Sequence, residues 1–408
     1  ASAVFVATGN DVDNANLAIT LLERTKPAPA RSTRQVFAVE FADDDLADVL
    51  LRTVDDVARA KGVRLYRLAP DREGLSLELR RYAPAFASFR GSDRTHVLVV
   101  GLTGSAEQVL SRLLVALQDR TDDTPTVSLV LDAGETGRFT AWREARPELA
   151  LVAAFEVLPR GERSLVDPTV VAAWRARTAP PQLVVVMRPD AEGLATALDL
   201  RRIGLGLPLA APILVRQSRE DRILAHIATD ANAAPVVPFG GLLRVESIEK
   251  LVGRVGDEAA MALHAKYLSQ APGLGATSGR VLEAWDALPE TFRDANRAAV
   301  DHVPILLAAI GRSFDTFDAA DVTTLTDDEL ERMARIEHRR WCADRIDRGW
   351  RYGESRDDVA KLHPCLVSWD RLPEGERAKD RNSVRTALDV TMVTRGRVAA
   401  PIRAAEAY

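Results

Sequence analysis

The residues with the most chemistry per unit length lie between Glu337 and Val384, in the run EHRRWCADRIDRGWRYGESRDDVAKLHPCLVSWDRLPEGERAKDRNSV. It holds three of the chain's six tryptophans, both cysteines and two of the six histidines. Within it, Gly349 and Gly353 frame Trp350, Arg351 and Tyr352. Two aromatic faces and a guanidinium on one turn can stack a planar ring and hold a phosphate or carboxylate. The same turn can equally plug its tryptophan into a core. Glu337, His338, Arg340 and Trp341 lie just upstream, and Trp369 and Arg381 downstream. These nine residues are the candidate ligand-binding set. His338, Cys342, His363 and Cys365 are of types that bind zinc, but H-x3-C and H-x-C are not a paired-knuckle spacing, so no metal is expected. No nucleophile elbow, H-E-x-x-H pair, P-loop or Ser/His/Asp set appears, and no enzymatic activity is expected.

A helix must position the first of these residues. Thr326 and Glu329 have the spacing of a capping box, and Gly349 suits the position just past a helix C-terminus. Leu330, Met333, Ala334, Glu337 and Trp341 fall on one stripe at helical spacing, with His338 and Cys342 beside it. A carboxylate bordering a packed face needs a partner, and Arg377 or Arg381 is available. The arrangement reads either as an Arg–Glu–His network locking two helices or as the polar floor of a ligand pocket.

The segment also has a copy. WDALPETFRDANRAAV from Trp285 aligns without gaps on WDRLPEGERAKDRNSV from Trp369, and LHAKYLSQ around His264 parallels EHRRWCAD around His338. Trp, Asp, Leu, Pro, Glu and two arginines (Arg293 and Arg297 against Arg377 and Arg381) recur in register. The second copy carries ten extra residues between its His and its Trp, and these include GWRYG and HPC.

Upstream, residues 1–250 alternate β-branched runs with amphipathic stretches, the pattern of βαβ units on a parallel sheet. Strands are predicted at AVFVAT, RQVFAVEF, GVRLYRL, HVLVVG, TVSLVLD, LALVAAFEV, QLVVVMR and APILVR, with helices over 44–60, 105–118, 191–203 and 219–228. DANAAPVVPFGG reads as the exit from the α/β part. VATGNDVDNANLAITLLER from Val6 repeats the pattern of VVMRPDAEGLATALDLRR from Val185, with Asp11 on Asp190. The second copy has three strands before its matching point and the first has none, so the chain is expected to open midway through a Rossmann-like domain. In VVGLTGSAEQVL, Gly101, Gly104 and Ser105 sit where a dinucleotide-binding loop belongs, and Asp132 ends the next strand, where a ribose-binding acid could sit. The third glycine is missing and Asp132 lies further from Gly101 than usual, which leaves a degraded fingerprint.

Length and composition bound these readings. A chain of 408 residues predicts two or three domains. A net charge of −5 gives no electrostatic case for nucleic acid. Two cysteines make no disulfide framework and point to a reducing compartment. No apolar run approaches the roughly 18–20 residues of a membrane span.

Residues 326–390, with LTDDELERMARIEHRRWCADRIDRGWRYGESRDD followed by KLHPCLVSWDRLPEGERAKDRNSV, closely resemble the ryanodine receptor repeat (RyR) domain, and residues 255–312 look like a divergent tandem partner. The resemblance implies a small helical ligand-recognition or interaction module. VFVATGNDVDNANLAITLLER resembles the regulatory domains of potassium channels and Trk-type uptake systems, of RCK or TrkA-N type. The organisation expected is therefore the C-terminal part of one Rossmann-like domain over 1–93, a second, degenerate one over 94–250, and a tandem RyR module over 255–408. The resemblances imply the cytosolic, ligand-sensing portion of a bacterial channel-like membrane protein, a homodimer or higher oligomer, with a small-molecule ligand and a nucleotide among the candidates. The alternatives are a soluble nucleotide-handling enzyme and a pure protein-interaction module.

Overall fold

A computed structural model describes residues 3–27, 35–41, 44–76, 78–79, 95–103, 106–119, 124–159, 181–188, 190–203, 212–218, 234–240, 257–270, 282–285, 288 and 290–399. Two parallel sheets precede a helical region. The first sheet has three strands, β1 (Ala3–Val6), β2 (Gln35–Glu40) and β3 (Val63–Leu68), in the order β1-β2-β3, with helices α1 (Asp11–Arg24) and α2 (Asp44–Ala60) between them. The second has six: β4 (His96–Val100), β5 (Thr126–Leu131), β6 (Ala154–Pro159), β7 (Leu183–Val186), β8 (Ile213–Arg216) and β9 (Val236–Phe239). Helices α3 (Ala106–Ala116), α4 (Ala133–Glu144) and α5 (Asp190–Ile203) join its strands.

The six strands run in the order β6-β5-β4-β7-β8-β9, all pairings parallel. Counted from β4 this is 3-2-1-4-5-6, the doubly wound order whose ligand crevice lies at the carboxyl ends of strands 1 and 4. HVLVV and LVVV are buried at every position, as central strands covered on both faces must be. Rossmann-like α/β architecture followed by a helical C-terminal region is therefore observed.

The internal match of the α/β part has a structural counterpart. α1 and α5 are both 14 residues long and both follow a four-residue strand, buried throughout in β7 but only at Val6 in β1. Each unit ties the turn after its first strand to the end of the next strand. Asn14, fully buried, accepts from the Thr8 amide at 2.7 Å and donates to the Glu40 carbonyl at 2.9 Å. Asp190 accepts from the Ser218 amide at 2.9 Å. A buried polar side chain must find such partners, and these fix strand and helix relative to one another.

Two strand expectations are corrected. LALVAAFEV is not one strand, because Pro147–Leu151 forms a 3-10 turn with Pro147 at its start, and β6 begins only at Ala154. VVPF, read as part of the exit from the α/β region, is β9. Its proline is tolerated because, among the described strands, β9 lies at the edge of the sheet beside β8. The predicted helix over 219–228 and Gly241, the last residue of the run DANAAPVVPFGG, lie outside the described residues.

The helical region comprises α6 (Glu258–Gln270), α7 (Glu290–Asp301), α8 (Val303–Ala309), α9 (Asp327–Asp347) and α10 (Glu374–Ala399). α9 does not stand apart from the sheet. Its Cys342, Ala343 and Ile346 share one apolar cluster with Leu110, Leu113 and Leu114 of α3 and with Val97 and Val99 of β4. Leu330, Met333 and Ala334, nearer its start, belong instead to the helical module's own cluster with Leu306, Leu388 and Trp369. Among the described residues no helix is long and apolar enough to cross a membrane.

Candidate functional site

The capping box at Thr326 forms as its spacing predicts. The Thr326 hydroxyl accepts from the Glu329 amide at 3.2 Å, and Glu329 accepts from the Thr326 amide at 2.9 Å. At the other end Gly349 takes a φ of +77°, and the Trp350 amide turns back to the Arg345 carbonyl at 3.0 Å. Lys361 donates to the Arg348 carbonyl at 3.0 Å, which satisfies a further orphan acceptor of the last turn. The chain then pairs β10 (Arg351–Tyr352) with β11 (Leu362–His363) in a two-stranded parallel ribbon. The inserted GWRYG and HPC segments are thereby held against the C-terminal half of α9.

A cavity of about 600 Å³ opens between this ribbon and helices α6, α7, α9 and α10. That volume suits a small organic molecule. Glu337, His338, Arg340, Trp341 and Trp350 of the candidate set line it. Glu337 and Arg340, both buried, form a two-pronged ion pair at 2.7 and 2.8 Å. The partner expected for Glu337 was Arg377 or Arg381. Arg340 takes that place because three residues along a helix is a natural ion-pair distance. His302 lies behind the pair, its Nδ1 3.9 Å from Glu337. Glu337 and Arg340 both belong to α9, so their pair lines the cavity without tying two helices together, and the tie from α9 to α10 is His338 with Asp380.

Both ring nitrogens of His338 face acceptors: Nδ1 the Asp380 carboxylate at 3.1 Å, and Nε2 the Val367 carbonyl at 2.9 Å. Only the imidazolium can donate to both. Burial opposes the charge, but the Asp380 carboxylate and the adjoining Cys342 outweigh it and lift the His338 pKa to about 10. His363 is its opposite. Burial and the Arg356 and Arg345 cations push its pKa down to about 4, and its Nδ1 accepts the Cys365 amide at 3.1 Å. Two of the imidazoles that line the cavity, one charged and one neutral, thus contact the ring of Trp341.

Arg345 was not in the candidate set, yet it is the most distinctive residue here. Its guanidinium stacks on Trp341 at 5.6 Å and on Trp350 at 5.5 Å. Burial lowers its pKa to about 10. Among the described residues it has no ion-pair partner, whereas the other cavity cations do. Arg340 holds Glu337, Lys379 holds Glu376, Arg356 holds Asp358 and His338 holds Asp380. Asp344, the acid next to Arg345 in sequence, is committed to Arg348 by two contacts of 3.2 Å. The signal for Arg345 was present in the sequence, because it lies four residues beyond Trp341 on the stripe already traced from Leu330. Lys379 and Asp380 became visible only when α10 folded over α9, and His363, singled out in the sequence only as a zinc-type residue, joined them through β11.

The remaining candidates lie elsewhere. Arg351 donates to the Ala145 carbonyl at 2.9 Å, and the Tyr352 amide donates to Glu148 at 2.9 Å, so this half of the turn docks on the α/β unit. Trp369 is buried in the helical core, with its indole N–H on Glu331 at 3.0 Å. Arg381 pairs with Glu331 at 2.9 Å and with Glu374. Among the described residues no three His, Cys, Asp or Glu side chains converge as metal ligands.

Much of this geometry occurs twice. His264 Nε2 meets the Glu283 carbonyl at 2.7 Å as His338 meets Val367. Arg293 donates to the Trp285 carbonyl at 3.0 Å as Arg377 does to that of Trp369 at 3.2 Å. Arg297 pairs with Asp257 at 2.7 Å as Arg381 does with Glu331. Every residue in these pairs is equivalent in the alignment of the two sequence copies. The cavity lies between the copies, with Tyr267 and Asn296 of the first opposite Trp341 and Asp380 of the second.

In the α/β unit Gly101 follows β4 and Asp132 follows β5, as the doubly wound order requires, while Gly104 and Ser105 lie outside the described residues. Gly101 takes a φ of +83°. A dinucleotide would place its pyrophosphate against this turn. The space is taken. A Cβ at Gly101 would come within 2.7 Å of the Arg188 side chain, and the Leu102 amide already donates to Glu135 at 3.0 Å. Among the described residues the turn after β4 is thus already filled by the Arg188 side chain and the Glu135 carboxylate.

Residues 318–398 match the RyR domain family model, so the helical module contains an RyR domain that covers α9, the β10–β11 ribbon and all but the last residue of α10.

Proposed function

We propose that this chain is a ligand-sensing regulatory unit, and that the cavity against α9 binds a small molecule carrying a planar ring and an anionic group. The observation that carries this reading is Arg345, a half-buried cation stacked between two indoles with no ion-pair partner among the described residues. An unpaired charge in such surroundings is costly, and an incoming carboxylate or phosphate relieves that cost. Trp341 and Trp350 offer the flat faces. The helical region is a tandem RyR module, a reading supported by the repeated His–carbonyl, Arg–Trp and Arg–acid contacts around Trp285 and Trp369. Its α/β part is of RCK or TrkA-N type, and the whole serves as the cytosolic portion of a bacterial, channel-like potassium-transport protein that works as a homo-oligomer. Ligand binding shifts α9, and α9 carries the shift to β4 and α3.

The test is a calorimetric screen of aromatic carboxylates and nucleotides against the wild type and Arg345→Gln. A ligand that loses at least about tenfold in affinity in the variant, at unchanged melting temperature, supports the reading, since charged hydrogen bonds contribute roughly 1.5–3 kcal/mol. Binding that is indifferent to Arg345 sinks it. The channel assignment has its own test in the coding sequence ahead of Ala1: apolar spans and a glycine-rich strand–helix turn are expected, and their absence overturns it. A second reading, of the turn as a docking surface, is favoured by Arg351 and Tyr352, which hold the α/β unit instead of the cavity.

A further inference from the structure

The crevice at the switch point of the six-stranded sheet is filled by the chain itself. Glu135, on the first turn of α4 and 5% exposed, places its carboxylate where three donors converge. The Leu102 amide donates at 3.0 Å from the turn after β4, the Asp132 amide at 2.9 Å from the end of β5, and the Arg188 guanidinium at 2.8 Å from beyond β7. Arg188, 4% exposed, crosses over Gly101 to reach it. Of these donors the Leu102 amide, in the turn after β4, is the one that this fold class turns toward a pyrophosphate, while the Asp132 amide and the Arg188 side chain complete the grip on Glu135. Two further acids, Asp132 at 3.6 Å and Glu192 at 3.8 Å, close around Arg188.

We infer that Glu135 is a built-in substitute for the ligand phosphate, that Arg188 is its counter-ion, and that the switch point is a permanent joint between the two halves of the sheet which binds no dinucleotide. Three observations agree on this. The turn amide is already used, the space over Gly101 is occupied by a buried side chain, and Asp132 and Glu192 face the same guanidinium as Glu135. A free dinucleotide would have to expel a carboxylate held by three hydrogen bonds and then sit among two more. The inference is independent of the α9 cavity. It assigns α4, β4 and β7 a scaffolding role and leaves the helical module as the place where a ligand acts.

The experiment has two arms. In the first, the wild type is mixed with millimolar NAD, NADH or ATP and followed by amide hydrogen exchange. The Leu102 and Asp132 amides are expected to keep their rates unchanged, even if a nucleotide slows exchange around Arg345 and Trp350. Slowed exchange at Leu102 and Asp132 overturns the inference. In the second, Glu135→Ala removes the carboxylate and leaves its three donors facing a vacated space. Formate or acetate is expected to raise the melting temperature of this variant by several degrees more than that of the wild type, with chloride at equal ionic strength as control. Equal responses of variant and wild type overturn it too. The wild-type arm stands even where the variant does not fold.

Discussion

His338 is the residue whose chemistry most depends on its surroundings. Its pKa rises from 6.5 to about 10 in the fold, so the folded state holds a proton that the unfolded chain releases. That contribution is complete below about pH 6.5 and fades as the pH climbs toward 10. Asp380→Asn is therefore expected to destabilise the protein at pH 6 and to approach the wild type by pH 9.5, measured as urea midpoints across that range. A gap that stays constant with pH would assign Asp380 a role other than holding the imidazolium. Arg340 gives a simpler expectation. Arg340→Ala leaves Glu337 buried without its two-pronged partner, a loss of about 3–5 kcal/mol. Replacing both residues by apolar groups of similar size should restore much of it, which denaturant titration of the double variant checks.

At the scale of elements, α9 is one helix with three loyalties. Its first half packs in the helical module, its Cys342, Ala343 and Ile346 pack in the core of the α/β unit, and its Glu337, Trp341 and Arg345 line the cavity. Its C-terminus is set by Gly349 in the left-handed region, where an L side chain costs about 1–2 kcal/mol. Gly349→Ala should lower stability by that amount. It should also weaken ligand binding in the α9 cavity, because Trp350 hangs on the same turn. Unchanged stability would mean the turn relaxes without loss. Thr326→Ala, at the other end, is worth about 1 kcal/mol and should leave the cavity untouched.

For the whole molecule, the question is whether the sheet and the helical module act as one body. Arg72, following β3, pairs with Asp347 of α9 at 3.1 Å, and Asp347 is only 4% exposed. Arg351 and Tyr352 reach Ala145 and Glu148 beyond α4. With the shared apolar core these contacts predict a single unfolding transition for the six-stranded sheet and α9. Ile346→Ala, at a site 1% exposed, is expected to cost about 2–5 kcal/mol and to lower that transition as a unit. Two separate calorimetric transitions, of which only the helical one moves, would show that the core is not shared in energetic terms.

The sequence by itself determined the periodic part of this protein. The β-branched runs HVLVVG and QLVVVMR could only be strands buried on both faces, the Thr326 capping box and Gly349 bounded α9, and the paired WDxLPE motifs marked a repeated unit. Such signals are local, carried by spacing along one element. Tertiary structure decided the rest, because it depends on which elements meet. VVPF became β9 only by finding β8, since a proline-bearing run needs an edge to be a strand. Glu337 chose Arg340, and GWRYG divided its residues, Trp350 to the cavity and Arg351 and Tyr352 to the α/β unit. Gly101 and Asp132 kept the positions of a nucleotide site, while a buried arginine 53 residues beyond Glu135 in the chain closed it. Spacing along a chain cannot reveal a partner that distant.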